Sequence, residues 1–310
     1  MNIDILISEV GPRDGLQSIQ RIMATEDKKR WIQAQFEAGT REIEVGSFVP
    51  PKLLPQMADT AEVVRWASTA LEGLGVAVLV PNLRGLEDAV GAGAHKVSIP
   101  FSMSETHSLK NVRKTHDQML EEIRLCVDFL ATVPEEERPH FEVGLSTAFG
   151  CTLEGEVSES RVIRLAEAVM EIGVNEVGLS DTTGYGNPAQ LKRLAKGIWS
   201  AIGREFMTGV HLHNTRGQGL ANALMAVELG FTTIDSSLGG LGGCPFAPGA
   251  SGNIVTEDLV WMLEAMGLRT GIDIDALLAV RQLVQKALPG EPLYGFLPDA
   301  GVPKGFVPAS

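Results

Sequence analysis

The sequence predicts an α/β fold, a (β/α)8 (TIM) barrel with a short C-terminal helical extension, and three observations predict it. Short β-like runs alternate with helical patterns from one end of the chain to the other, as in a parallel sheet or barrel. The runs number eight and each is followed by helical sequence, which fits a closed barrel with about 40 residues left over for an appendage. The first run leads into "SEVGPRDGLQ", where a doubly wound open sheet would carry a G-x-G-x-x-G turn.

The strands are expected at Ile3 to Val10, Arg41 to Phe48, Gly75 to Pro81, His95 to Phe101, His140 to Ala148, Glu176 to Asp181, Gly209 to Asn214 and Thr232 to Ser237. Between and after them lie stretches such as "EDKKRWIQAQFEAG", "THDQMLEEIRLCVDFLATV", "PAQLKRLAKGIWSAIG" and "TEDLVWMLEAMG". Their apolar residues recur three and four positions apart, as a one-sided helix requires. Gly39, Gly173, Gly230 and Gly267 read as helix C-caps. No Ser-, Pro- or Gly-rich linker divides the chain. It reads as one domain, a catalytic barrel over 1–270 with a C-terminal helix and tail over 271–310 belonging to it.

At 310 residues and 44% hydrophobic, the chain can bury a large core. A net charge of −13 argues against a nucleic-acid partner or an anionic membrane surface, because either would repel the average face. An anionic substrate then needs a local basic patch. Three widely separated cysteines, Cys126, Cys151 and Cys244, make a poor disulfide framework and fit a reducing, cytoplasmic setting. The opening "MNIDILISEV" has neither the basic and apolar regions of a signal peptide nor the character of a transit peptide. No apolar run approaches the about 18 residues of a membrane span, and the Pro- and Gly-rich ending "GEPLYGFLPDAGVPKGFVPAS" lacks a peroxisomal signal.

In a barrel, chemistry belongs at the C-terminal strand ends. Polar groups gather there: "GPRDGLQ" after the first strand, "IEVGSF" at the second, "LSDTTG" at the sixth, "VHLHNT" at the seventh and "SSLGGLGGCPFAPGASGN" after the eighth. On a strand, residues two apart share a face, so His211 and His213 both look into the barrel mouth. Two imidazoles so placed suit a divalent metal, and the plainer alternative is a pair of hydrogen-bonded histidines. Asp14 could add a carboxylate and Asn253 an amide oxygen. Such a thiolate-free N and O set suits Mg2+ or Mn2+, with Zn2+ open as well.

Residues 239–253 hold six glycines around Cys244, and glycines permit close backbone approach to a ligand. Cys244 is a candidate proton donor or base, since a thiol beside a metal or Arg can have a lowered pKa; otherwise it is a small buried hydrophobe. Cys126 and Cys151 take that plainer role. Arg13 could stabilise an enolate or simply pair with Glu44 or Asp181. Glu44 could orient a substrate hydroxyl. His107, in "SMSETHSLKN", could reach the substrate from the fourth strand's loop, and Gln17, Asn214 and Arg216 complete the substrate-binding candidates. Lys52 and Lys110 are weaker cation candidates for an anionic tail.

The set "VGPRDGLQ", "REIEVGSFVPPKLLPQM", "HLHNTRGQGLANALMAVELG" and "GGLGGCPFAPGASGNIVTEDLVWMLEAMG" resembles the hydroxymethylglutaryl-CoA lyases, members of a metal-dependent lyase and Claisen synthase superfamily on (β/α)8 barrels. The resemblance runs over nearly the whole chain, and its cysteine loop is far more specific than the H-x-H pair. It implies that Asp14, His211, His213 and Asn253 hold the metal and that Arg13 stabilises the enolate of the departing acetyl-CoA. It also implies that Glu44 and Asp181 are active-site acids and that Cys244 transfers a proton. The implied reaction is cleavage of 3-hydroxy-3-methylglutaryl-CoA (HMG-CoA), or a close 3-hydroxyacyl-CoA, to acetyl-CoA and a 3-oxo acid such as acetoacetate. An acyl-CoA partner and a homodimer come with it.

Departures from that family cluster on substrate-facing loops. The sequence after the second histidine runs Asn214-Thr215-Arg216-Gly217-Gln218 where the lyases carry D-T-Y-G-Q, so an acid is lost and a cation gained. The segment "IPFSMSETHSLKN" shares only its Ser-Glu and Lys-Asn elements and brings in His107, and Ser180 precedes Asp181 where glycine is usual. These changes bear on the acyl group rather than on the reaction type. The rival is a Claisen-type acyl-CoA/2-oxo acid synthase, which Asn214 favours and the cysteine loop opposes. A non-catalytic barrel would require loss of Asp14, His211, His213 or Arg13, and all are present.

Overall fold

The computed structural model describes residues 3–242 and 252–309. Eight parallel strands close into a barrel in sequence order: β1 (Leu6–Glu9), β2 (Glu42–Ser47), β3 (Gly75–Leu79), β4 (Lys96–Ser102), β5 (His140–Ser146), β6 (Glu176–Asp181), β7 (Gly209–Leu212) and β8 (Thr233–Ser236). Each lies within its expected run, apart from Ser102, which adds one residue to the fourth; several are shorter because the flanking residues turn into loops. β8 pairs with β1 from Leu6 opposite Thr233 to Glu9 opposite Ser236, which closes the ring.

The helices are α1 (Thr25–Glu37), α2 (Thr60–Ala70), α3 (Leu83–Ala92), α4 (Glu105–Asn111), α5 (His116–Thr132), α6 (Glu159–Ile172), α7 (Pro188–Ile202), α8 (Gly219–Leu229), α9 (Thr256–Ala265), α10 (Ile274–Ala287) and α11 (Leu297–Ala300). Local sequence sets their ends. Thr115 and Gln118 form a reciprocal capping box at the start of α5, and Gly173 and Gly230 close α6 and α8 at φ 101° and 91°, where a side chain would be strained. Their buried stripes, such as Leu191, Leu194, Ala195 and Ile198 of α7, pack on the outward residues of the strands and form one continuous core. Among the described residues no helix is long and apolar enough to cross a membrane.

The barrel interior is polar. Near the N-terminal strand ends Lys96 reaches Glu142 at 2.7 Å, Glu176 at 3.4 Å and Glu42 at 3.6 Å, and His140 lies 3.0 Å from Glu176. Burial opposes the Lys96 charge, but the three carboxylates raise its pKa and keep it cationic. Gly178 makes room for this plug: a Cβ there would lie 2.3 Å from Glu142 Oε1. The lower barrel is thus filled by a mutually bonded ion cluster of one lysine among three carboxylates, and the open chemistry is left to the upper end.

Candidate active site

The turn after β1 carries the first site residues. The N–H groups of Arg13, Asp14 and Gly15 all reach the Val10 carbonyl, at 3.1, 2.7 and 3.4 Å, in one wide π-type turn over Gly11–Gly15. Such turns often sit at functional sites. Glu9, fully buried, anchors it: Oε1 accepts from the backbone N–H of Gly11 and of Leu238, each at 2.9 Å, and Oε2 from Thr256 Oγ1 at 2.8 Å and Gln35 Nε2 at 3.1 Å. Burial pushes the Glu9 carboxyl up to about 8 against those donors. Gly11 is required because a Cβ would meet Glu9 Oε1 at 2.5 Å.

This anchoring leaves Arg13 between two acids. Its Nε donates to Glu44 Oε2 at 2.5 Å and its Nη1 to Asp14 Oδ1 at 2.6 Å. Glu44 stands on β2 just before a bulge at Val45, and its other oxygen accepts from Ser98 Oγ of β4 at 3.2 Å. Bulges beside active sites re-aim side chains in this way. Asp14 also accepts from Gln17 Nε2 at 2.8 Å and Asn253 Nδ2 at 2.7 Å. Burial works to raise the Asp14 pKa, but Arg13, His211, His213 and Asn253 outweigh it and hold the carboxylate well below its usual range.

Asn253 arrives by chain return. The segment after the glycine-rich loop pairs antiparallel with the end of β7, His213 opposite Asn253, and Asn214 N–H donates to the Gly252 carbonyl at 2.7 Å.

The two histidines converge. Their Nε2 atoms lie 3.0 Å apart, and one ligand atom from each of Asp14, His211 and His213 falls within 4.8 Å of the others. Two imidazole nitrogens each about 2.1 Å from one ion at a right angle would stand about 3.0 Å apart. His211 Nδ1 meets Asp235 Oδ2 at 3.0 Å across the β7–β8 pair, so the ring proton sits there and Nε2 presents its lone pair. Burial and the charges of His211 and Arg13 bring His213 down to about 3, so it stays neutral as a ligand must, and among the described residues its buried Nδ1 has no hydrogen-bond partner. The donor set fits a divalent cation. Asp235 was not among the residues singled out from sequence, because cross-strand register is what makes it His211's neighbour.

The HMGL-like family model matches residues 4–284. The chain belongs to the HMGL-like family. The hydroxymethylglutaryl-CoA lyase YngG of Bacillus subtilis is 40% identical over 289 residues, 93% of this chain and 94% of that protein. The mitochondrial hydroxymethylglutaryl-CoA lyase of Homo sapiens is 39% identical over 92% of this chain and 86% of its own length. Among solved structures, an HMG-CoA lyase from Acinetobacter baumannii in complex with coenzyme A and 3-methylmalate is 40% identical, with a TM-score of 0.89 over 98% of this chain and 97% of that one.

In this HMGL-like barrel the remaining candidates spread out. Asp181 ends β6 and spends both oxygens on its own loop, accepting from Tyr185 N–H at 2.9 Å and Gly186 N–H at 3.0 Å; burial raises its pKa to about 6. Asn214 accepts from Gly219 N–H at 3.0 Å and starts α8. Arg216 does not turn to the metal cluster. Its Nη1 donates to the carbonyls of Thr183 and Gly184 at 3.0 and 3.1 Å, and its guanidinium lies 4.4 Å above the Tyr185 ring. His107 lies on α4 with Nδ1 at 3.1 Å from Ser102 Oγ. Cys126 and Cys151 are buried, and burial pushes the Cys126 thiol up to about 12. Cys244 lies outside the described residues.

Proposed function

We propose that the chain is a divalent-metal-dependent carbon–carbon lyase that cleaves HMG-CoA, or a close 3-hydroxyacyl-CoA, to acetyl-CoA and a 3-oxo acid, acetoacetate for HMG-CoA itself. The observation that carries it is the convergence of Asp14, His211 and His213 on one point with Arg13 bound to Asp14. The HMG-CoA lyases among its relatives support the substrate class. Mg2+ or Mn2+ is the proposed ion because the donors are imidazole and oxygen without thiolate. Asn253 would complete the ligand set.

A divalent cation held by Asp14, His211, His213 and Asn253 would supply a Lewis acid to the substrate. The chain's own residues do the rest. As the C2–C3 bond breaks, its electron pair moves into the thioester and makes an enolate oxygen, which Arg13 would hold while Glu44 fixes the guanidinium. The hydroxyl proton passes to a base, and Cys244 gives the proton that carbon takes up. Gln17 would keep Asp14 oriented. Asp181 would shape the wall of the site through its loop, with His107, Asn214 and Arg216 as substrate-side residues. The same reading gives a cytoplasmic homodimer with an acyl-CoA substrate and neither nucleic-acid nor membrane partner, supported by the acidic charge and the resemblance. Residues 271–310 would belong to the barrel domain, supported by the bond from Asp273 N–H to the Ala38 carbonyl at 2.8 Å.

Purified chain with Mg2+ or Mn2+ should release acetyl-CoA and acetoacetate from HMG-CoA, and Cys244→Ala and His211→Ala should abolish that release. Metal binding without turnover of this thioester would overturn the substrate; acetyl-CoA hydrolysis dependent on a 2-oxo acid would overturn the direction of reaction.

A further inference from the structure

A line of hydroxyls crosses the upper barrel from β4 to β6 and ends on His107. Ser102 Oγ lies 2.8 Å from Thr147 Oγ1 and 3.1 Å from His107 Nδ1. Thr147 N–H donates to Thr182 Oγ1 at 2.9 Å, which lies 3.3 Å from Ser180 Oγ. Strand register brings this line to the level of the metal cluster: Ser102 pairs with Ser146, Leu145 with Leu179, and Ser180 with His211. Thr147 is fully buried and sits at φ 56°, a left-handed conformation that a β-branched residue rarely adopts.

Counting protons along the line fixes the histidine tautomer. Thr147 Oγ1 already accepts from Ser104 N–H at 3.1 Å. Were it also to accept from Ser102, its own buried O–H would have no acceptor among the described residues, a costly loss. Thr147 therefore donates to Ser102, and Ser102 donates to His107 Nδ1. The imidazole carries its proton on Nε2, where no described residue meets it. Burial and Lys110 both lower the His107 pKa, so the ring is a neutral donor. Ser104 holds the backbone in place, its Oγ accepting from His107 N–H at 3.2 Å as the N-cap of α4.

We propose that His107, with its proton held on Nε2 by the Ser102–Thr147 relay, is a specificity-determining residue that donates to the terminal carboxylate of the acyl chain. This rests on the lyase reading above, and it gives Ser102 and Thr147 the role of positioning residues. His107 is one of the departures from the lyase pattern, so the contact belongs to this chain.

Two measurements test it on the full Mg2+-loaded chain. Calorimetry in the Cys244→Ala background, where HMG-CoA should bind without being turned over, compares HMG-CoA with 3-hydroxy-3-methylbutanoyl-CoA, which lacks the terminal carboxylate. His107→Phe should lose about tenfold of the preference for HMG-CoA, a single hydrogen bond to a charged group, and His107→Gln, which keeps an N–H donor, should retain most of it. Two-bond 1H–15N correlation of the histidine rings should show Nδ1 of His107 unprotonated, and Ser102→Ala or Thr147→Val should turn this into a tautomer mixture. An unchanged preference in His107→Phe, or a protonated Nδ1 in the wild type, overturns the proposal. A wild type that binds both thioesters and cleaves neither overturns the reaction above and leaves this preference measurable; one that binds neither overturns both.

Discussion

Two ion clusters occupy the two ends of one barrel, and they differ in what they leave open. At the lower end Lys96 is met by Glu42, Glu142 and Glu176, and His140 adds to Glu176. Every charge there faces an opposite one. At the upper end Arg13 bridges Asp14 and Glu44, but two imidazole Nε2 atoms stand 3.0 Å apart beside a carboxylate and His213 Nδ1 has no hydrogen-bond partner among the described residues. A satisfied cluster specifies a fold; an unsatisfied one, held rigid by its neighbours, is built to receive something. The difference predicts that damage below falls on stability and damage above falls on metal and turnover.

The largest expected effect is below. Lys96→Met leaves three part-buried carboxylates without their cation and should cost about 3–5 kcal/mol in urea unfolding, with activity per folded molecule kept. A stable variant that has lost turnover would erase the contrast. Above, Arg13→Met should lower kcat by about 10²–10³ while substrate still binds, as for loss of one oxyanion donor; steady-state kinetics separates the two constants.

Asp235→Asn should be smaller, weakening metal binding by about 10–100-fold through the orientation of His211. It also carries a pH signature. Burial lowers the His211 pKa, but the Asp235 bond outweighs it and the net shift is upward. Protonated His211 cannot ligate, so metal affinity falls as pH drops through that raised value. In Asp235→Asn the fall should begin at lower pH, and calorimetric titration over pH reads the displacement. Arg216→Ala should be the mildest, costing about 0.5–1 kcal/mol of stability from the lost stacking on Tyr185 and raising KM more than it lowers kcat.

The barrel was legible because eight alternating segments leave few other solutions, and strand ends pointed to Arg13, Asp14, Glu44, His211 and His213, which the structure brings together. What stayed hidden depends on register and on chain return. Asp235 becomes His211's neighbour only through β7–β8 pairing, and Ser98 supports Glu44 only across β3. Glu9 faces outward from β1, away from the mouth, so the strand-end rule passed it over although it anchors the turn and both flanks of the glycine-rich loop. Arg216 read as a cation beside the histidines, yet the turn after β7 carries it to the carbonyls of the β6 loop.

The most direct measurement is pulsed electron paramagnetic resonance of Mn2+ bound to the wild-type chain and to His213→Ala. The wild-type chain should bind one ion with nitrogen coupling from two imidazoles, and the variant should show coupling from one. Mn2+ bound with no imidazole coupling would contradict it.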